Sequence, residues 1–155
     1  MSSVDTWNKK LWPKIKRDTH LWLSLTQESS LLWLQFIGKS EWPAGYWVKH
    51  QKTDYLDIQL VEKGNMTVKQ HGKNYLIEEN KIVLMPPGAY TLSTGPAGHL
   101  KKRYLGLKGI LVAQHQKKLG LERINIFAYH DADDFDKIFA GVSKLGPESK
   151  KSVMT

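Results

Sequence analysis

The chain contains no cysteine, which excludes structural disulfides, thiolate zinc sites and cysteine nucleophiles and fits a reducing compartment. It also lacks any uninterrupted apolar run near the roughly 18 residues that a membrane-spanning helix requires. Its first residues, MSSVDTWNKKLWPKIKR, hold no apolar stretch of the signal-peptide kind. The expectation is a soluble, cytoplasmic protein without membrane contact. No GxSxG elbow, no phosphate-cradling glycine loop and no pair of acids on adjacent inward strand positions is present. Glu78-Glu79 falls in a turn and Asp133-Asp134 at a helix start, where acids stabilise the helix. No residue is therefore assigned a catalytic role, and a protein that is not an enzyme is expected. Paired histidines are missing too. His20, His50, His99, His115 and His130 are scattered and His71 sits in a hairpin turn, with no HxH or HxxxH pair to hold a metal. Neither a metal nor a cofactor is expected.

What the chain does have is enough length and apolar content for one domain: 155 residues, 41% of them hydrophobic. Its formal charge is +8, from 23 Lys and Arg against 15 Asp and Glu. Positive charge gathers in residues 1–20, at Lys9, Lys10, Lys14, Lys16 and Arg17. It gathers again in 101–123, at Lys101, Lys102, Arg103, Lys108, Lys117, Lys118 and Arg123. Asp131, Asp133, Asp134 and Asp136 form the counterweight. A basic surface attracts phosphate without reading sequence. No helix-turn-helix pair, zinc finger or RNP-like strand is recognisable, so direct nucleic-acid binding by this chain is not expected.

The most informative stretch is residues 57–88, DIQLVEKGNMTVKQHGKNYLIEENKIVLMPPG. Gly64-Asn65, His71-Gly72-Lys73 and Glu79-Asn80 each offer a residue that tolerates positive φ where a hairpin reverses. Between them Ile58/Leu60, Met66/Val68, Tyr75/Ile77 and Ile82/Leu84 recur at a spacing of two, so each run can turn one face to an interior. Strands are predicted at 31–37, 46–50, 54–61, 66–70, 74–77, 81–85, 90–92, 102–107 and 124–129, with 39–45 a loop. Leu111, Val112, His115 and Leu119 share a helical face, which predicts a helix over 109–119. Phe135, Ile138, Phe139, Val142 and Leu145 form an apolar stripe that predicts a second over 131–146. That stripe suits either packing on the barrel or a subunit interface. Pro13 interrupts the apolar pattern of the first section, so 1–30 reads as an arm or irregular helix. Residues 31–130 read as an antiparallel β-barrel and 147–155 as a linker.

The order of Lys63-Gly64, the turn Glu78-Glu79-Asn80-Lys81, the strand ending in Pro86-Pro87-Gly88 and the passage from Arg103 to Gln114 resembles the N-terminal cupin domain of AraC-type transcriptional regulators, over roughly residues 45–145. Many relatives have Gly in the acidic turn where this chain has Asn80, a residue that also tolerates the left-handed conformation. The fold class implied is mainly β: a cupin-like antiparallel β-barrel or jelly roll followed by two C-terminal α-helices. The function implied is that of a ligand-sensing and dimerisation domain. It would bind a small, sugar-like effector without catalysis, form a homodimer, and meet DNA only through a C-terminal helix-turn-helix part not present in this chain.

The alternative is a stand-alone cupin enzyme or a carbohydrate-binding module. Metal-dependent cupins need two closely spaced His and a Glu, and the matching NMTVKQHGKNY holds one His. Ligand contacts of the family's arabinose regulator carry over to Lys49, to Ser93 with Tyr90 just before it, and to Arg103 and Leu105. Trp47 joins them as an aromatic face suited to sugars, although Trp and Tyr are also ordinary core residues. Arg103 shares its side of the strand with Leu105 and Leu107 and so needs a partner: a ligand, an internal acid, or solvent.

Overall fold

The computed structural model describes residues 5–23, 33–110, 112, 114, 123–128 and 149–151. Among these, the strands are β1 (Thr6–Trp7), β2 (Lys16–Leu23), β3 (Trp33–Pro43), β4 (Trp47–His50), β5 (Leu56–Gly64), β6 (Met66–Gln70), β7 (Lys73–Ile77), β8 (Lys81–Met85), β9 (Tyr90–Thr94), β10 (His99–Lys108), β11 (Asn125–Ala128) and β12 (Ser149–Lys151). A single 3₁₀ turn, Trp12–Lys14, lies between the first two, and Pro13 sits in its opening positions, where a missing N–H costs nothing.

The strands form two antiparallel sheets. One has the order β1-β4-β9-β6-β7 and the other β11-β8-β5-β10-β3-β2-β12. Apart from the β6–β7 hairpin, which stays within one sheet, strands β3 to β10 are thus dealt alternately between the sheets, as in a double-sheet jelly roll. Turn chemistry explains the local steps. His71 and Gly72 take φ of 51° and 76°, giving β6 and β7 a two-residue reversal whose twist matches the strands. Asn80 takes φ of 60° in the acidic turn, where the side chain of Glu79 accepts the Gly64 N–H at 3.0 Å.

The core between the sheets contains Met66, Val68, Ile77 and Leu92 from one side and Trp42, Val61, Val83, Met85 and Leu100 from the other. Of the four apolar pairs read from the sequence, Met66/Val68 and Tyr75/Ile77 face this interior. Ile58/Leu60 and Ile82/Leu84 alternate with the inward Asp57, Gln59, Val61, Val83 and Met85, and so point out of the sandwich. The reason is that the outer face of the seven-stranded sheet is also covered: Ile37, Leu60 and Leu105 are buried there. A strand apolar on both sides does not announce which face is the inner one.

Three further expectations meet the structure differently. Residues 39–45 were predicted as a loop, yet β3 continues to Pro43, because β10 and β2 hydrogen-bond it on both edges and override the polar local sequence. Residues 149–151 of the expected linker form β12, which pairs with the otherwise open edge of β2. Of the helix expected over 109–119, residues 110, 112 and 114 are helical and the remainder lies outside the described residues. The whole of 131–146 also lies outside them. No helix among the described residues is long and apolar enough to cross a membrane.

Candidate functional site

β5 carries Asp57 and Gln59 at a spacing of two, so both side chains enter the interior from the same face. They are 2% and 3% exposed. From the facing sheet, Tyr90 donates its hydroxyl to Asp57 Oδ2 at 2.7 Å. Gln59 Nε2 donates to the same carboxylate, 3.1 Å from Oδ1 and 3.3 Å from Oδ2, while its Oε1 accepts from Lys102 Nζ at 2.6 Å. A phenol, a carboxylate, an amide and an ammonium thus form one hydrogen-bonded string across the sandwich. Lys102, 3% exposed, comes from β10, next to β5 in the sheet. Its ammonium lies 4.1 Å from the Trp42 ring centroid and 4.8 Å from that of Tyr104, a cation–π setting that offsets part of its desolvation.

The backbone around Tyr90 is pinned. Thr53 exchanges three hydrogen bonds with Gly88 of the Pro-Pro-Gly turn: its N–H and hydroxyl donate to the Gly88 carbonyl at 2.8 and 3.2 Å, and its Oγ1 accepts the Gly88 N–H at 3.0 Å. β9 begins two residues later. Burial, then the Asp57 charge, pushes the Tyr90 phenol well above its ordinary value, and the same two causes raise Tyr55. Both phenols remain protonated at physiological pH. His50 lies against Tyr90 with ring centroids 5.1 Å apart, and its Nδ1 is 3.0 Å from Asp5 Oδ2. The N-terminal segment therefore reaches the same end of the interior. Burial raises the Asp5 carboxyl, but the hydrogen bond to His50, the His50 charge and the Gln51 N–H together hold it below its ordinary value.

Among the residues expected to bind ligand, the structure brings only Tyr90 to this interior. Trp47, Lys49 and Ser93 lie on the outer face of the five-stranded sheet, where Trp47 sits opposite Ser93 and is 36% exposed. Arg103 and Leu105 alternate with the inward Lys102 and Tyr104, so they project from the outer face of the other sheet, and Arg103 there is ion-paired with Glu62. The carried-over positions on β10 are out of phase by one residue, which moves every side chain to the opposite face. The internal acid weighed as a partner for Arg103 is an acid of the outer surface. The sequence alone does not single out Asp57, Gln59 or Lys102 as site residues. The signal for the first two was present as an acid and an amide alternating with Ile58 and Leu60 in one short strand.

The set is a hydrogen-bonded row of polar groups among aromatic rings. It offers donors and acceptors in alternation, with the flat faces of Trp42, Tyr104, Phe36 and Tyr55 around them. Among the described residues the interior holds one carboxylate, Asp57, which shares Gln59 with an ammonium, and no group of three or more His, Cys, Asp or Glu gathers.

No family model matches the chain, and no curated protein sequence is similar to it. Solved structures are. The chain is similar to the Clostridium difficile EutQ protein, at 16% identity over 59% of this chain and 66% of that one, with a TM-score of 0.43. It is similar to the cupin domain of Schizosaccharomyces pombe Cnp3, at 15% identity over 69% and 72% of the two chains, TM-score 0.47. It is also similar to a Cupin 2 conserved barrel domain protein from Salinispora arenicola, at 10% identity over 67% and 82%, TM-score 0.43. The match spans less than two thirds of the EutQ chain.

Proposed function

We propose that this chain is a cupin-like, small-molecule-sensing domain that binds its guest without transforming it, of the kind found at the N-terminus of AraC-type regulators. The observation that carries this reading is the buried string Tyr90–Asp57–Gln59–Lys102. A sandwich that needed only a core would hold these positions with apolar side chains, since burying charges and amides is costly unless each is paired. In this reading a hydroxyl-rich or acidic guest replaces these internal contacts and takes over their donors and acceptors, with Tyr104 against its apolar face. In this reading the effector acts by differential affinity for two arrangements of the domain. The reading includes a homodimer, and DNA contact only through an attached helix-turn-helix part.

A thermal-shift screen over neutral sugars, sugar acids and small carboxylic acids tests it. One class is expected to raise the melting temperature of the protein and to be recovered unchanged. The same class is expected to leave Lys102→Met unshifted while the circular dichroism spectrum stays that of the parent. Turnover of the stabilising compound, or an equal shift in the variant, overturns the reading.

A further inference from the structure

A cleft of about 330 Å³ opens where the end of the seven-stranded sheet meets the 3₁₀ turn. Its lining carries Lys14, Lys16, Lys63 and Lys101, with the His99 ring beside them and Glu41 the one acid among the described lining residues. The strand register concentrates this charge. Lys101 of β10 stands directly opposite Lys63 of β5 on one side and Glu41 of β3 on the other, and Lys16 of β2 stands opposite Glu41. Reading across four adjacent strands gives Lys, Lys, Glu, Lys. Like charges directly opposite destabilise a ladder. Glu62, whose Oε2 is 3.9 Å from Lys101 Nζ, is shared with Arg103 and answers only part of that repulsion. Buried Trp42 and Leu100 also line the cleft, and the Lys102 ammonium lies 4.1 Å from the Trp42 ring centroid, adding positive potential from within the sandwich. A cleft of this size accommodates a small molecule, and four lysines beside an apolar wall suit a compact, multiply charged anion.

We propose that this cleft, which adjoins the interior string at Trp42, is a second ligand site for a small molecule carrying a phosphate or pyrophosphate group. The lysines neutralise the anion and Trp42 with Leu100 takes its apolar body. The charge gathers in an open cleft at one end of the sheet, a short site that favours a small phosphorylated compound over an extended nucleic-acid backbone.

Calorimetric titration of the protein with sodium pyrophosphate at fixed ionic strength tests this. Saturable binding is expected. Lys63→Gln combined with Lys101→Gln should weaken it by at least about ten-fold, from the loss of two charge-assisted contacts. The melting temperature of that variant without ligand should stay level or rise, because cross-strand repulsion is relieved. Lys49→Gln combined with Lys69→Gln, on the outer face of the other sheet, removes the same charge and should leave binding unchanged. Three results overturn the proposal: unsaturable binding, equal weakening in the control pair, or a DNA duplex that outcompetes pyrophosphate through Lys63 and Lys101. None of them depends on whether the interior string takes an effector.

Discussion

Among the described residues, the hydroxyl of Tyr90 bridges one sheet to the polar string of the other, and its partner is a carboxylate only 2% exposed. Removing a hydrogen bond to a buried charged group costs about 1.5–3 kcal/mol. Tyr90→Phe is therefore expected to lower the unfolding free energy by about 2 kcal/mol in urea titration, with the β-sheet circular dichroism signal unchanged. At the edge of the same region, Asp5 gives a pH signature. A carboxyl held below its ordinary value of 3.8 binds its proton less readily when folded than when unfolded. Its contribution to stability is thus fully present above pH 3.8 and is lost as the pH falls through the lower, folded value. Asp5→Asn should be less stable than the parent at neutral pH, and the two melting curves should converge as the solution is acidified below pH 4. A constant difference across the whole range would remove the His50 contact as its cause.

Between β3 and β10 the packing follows a rule of exchange. Gly38 stands opposite Tyr104, and Gly106 stands opposite Phe36. A Cβ at either glycine would overlap the ring of its partner. Each strand thus gives up a side chain where its neighbour lays an aromatic ring across it, and the two rings meet at 6.1 Å. Gly38→Ala is expected to cost about 1–3 kcal/mol, as overpacking does, because Tyr104 is itself held beside the Lys102 ammonium. A melting temperature equal to the parent's would show that the ring can give way.

This pairing also explains what the sequence revealed and what it concealed. Turn positions such as His71-Gly72 and Asn80 were legible because positive φ is a property of single residues. The strands they separate were legible from alternation. The inward face of β5, β8 and β10 was not, since Leu60 and Leu105 are as apolar as any interior residue and are buried on the outside. On β10 the alternation Arg103, Leu105, Leu107 resembled a pocket wall, while the true interior set was Lys102, Tyr104 and Gly106. Only the neighbouring strands decide between them. Glu62 beside Arg103, and Gln59 beside Lys102, are pairings that no local pattern encodes.

At the scale of the whole molecule, the N-terminal segment joins both sheets. β1 extends the five-stranded sheet by pairing with β4, and β2 extends the other by pairing with β3. Between them Trp7, Leu11, Trp12 and Ile15 pack, partly buried, against the core. A fully buried large apolar side chain contributes about 1.5–3 kcal/mol, so four partly buried ones contribute several. Deleting residues 1–15 should lower the thermal midpoint markedly and raise the binding of a fluorescent apolar dye. An unchanged midpoint would mean that the segment merely lies on the surface. In their middle stretches β3, β5 and β10 are buried on both faces, at Ser40, Gln59 and Lys102 inward and at Ile37, Leu60 and Leu105 outward. In heavy water the amides of these three strands can trade hydrogen for deuterium only when the sandwich comes apart, so they should mark time for global opening while the two-residue β1 exchanges early.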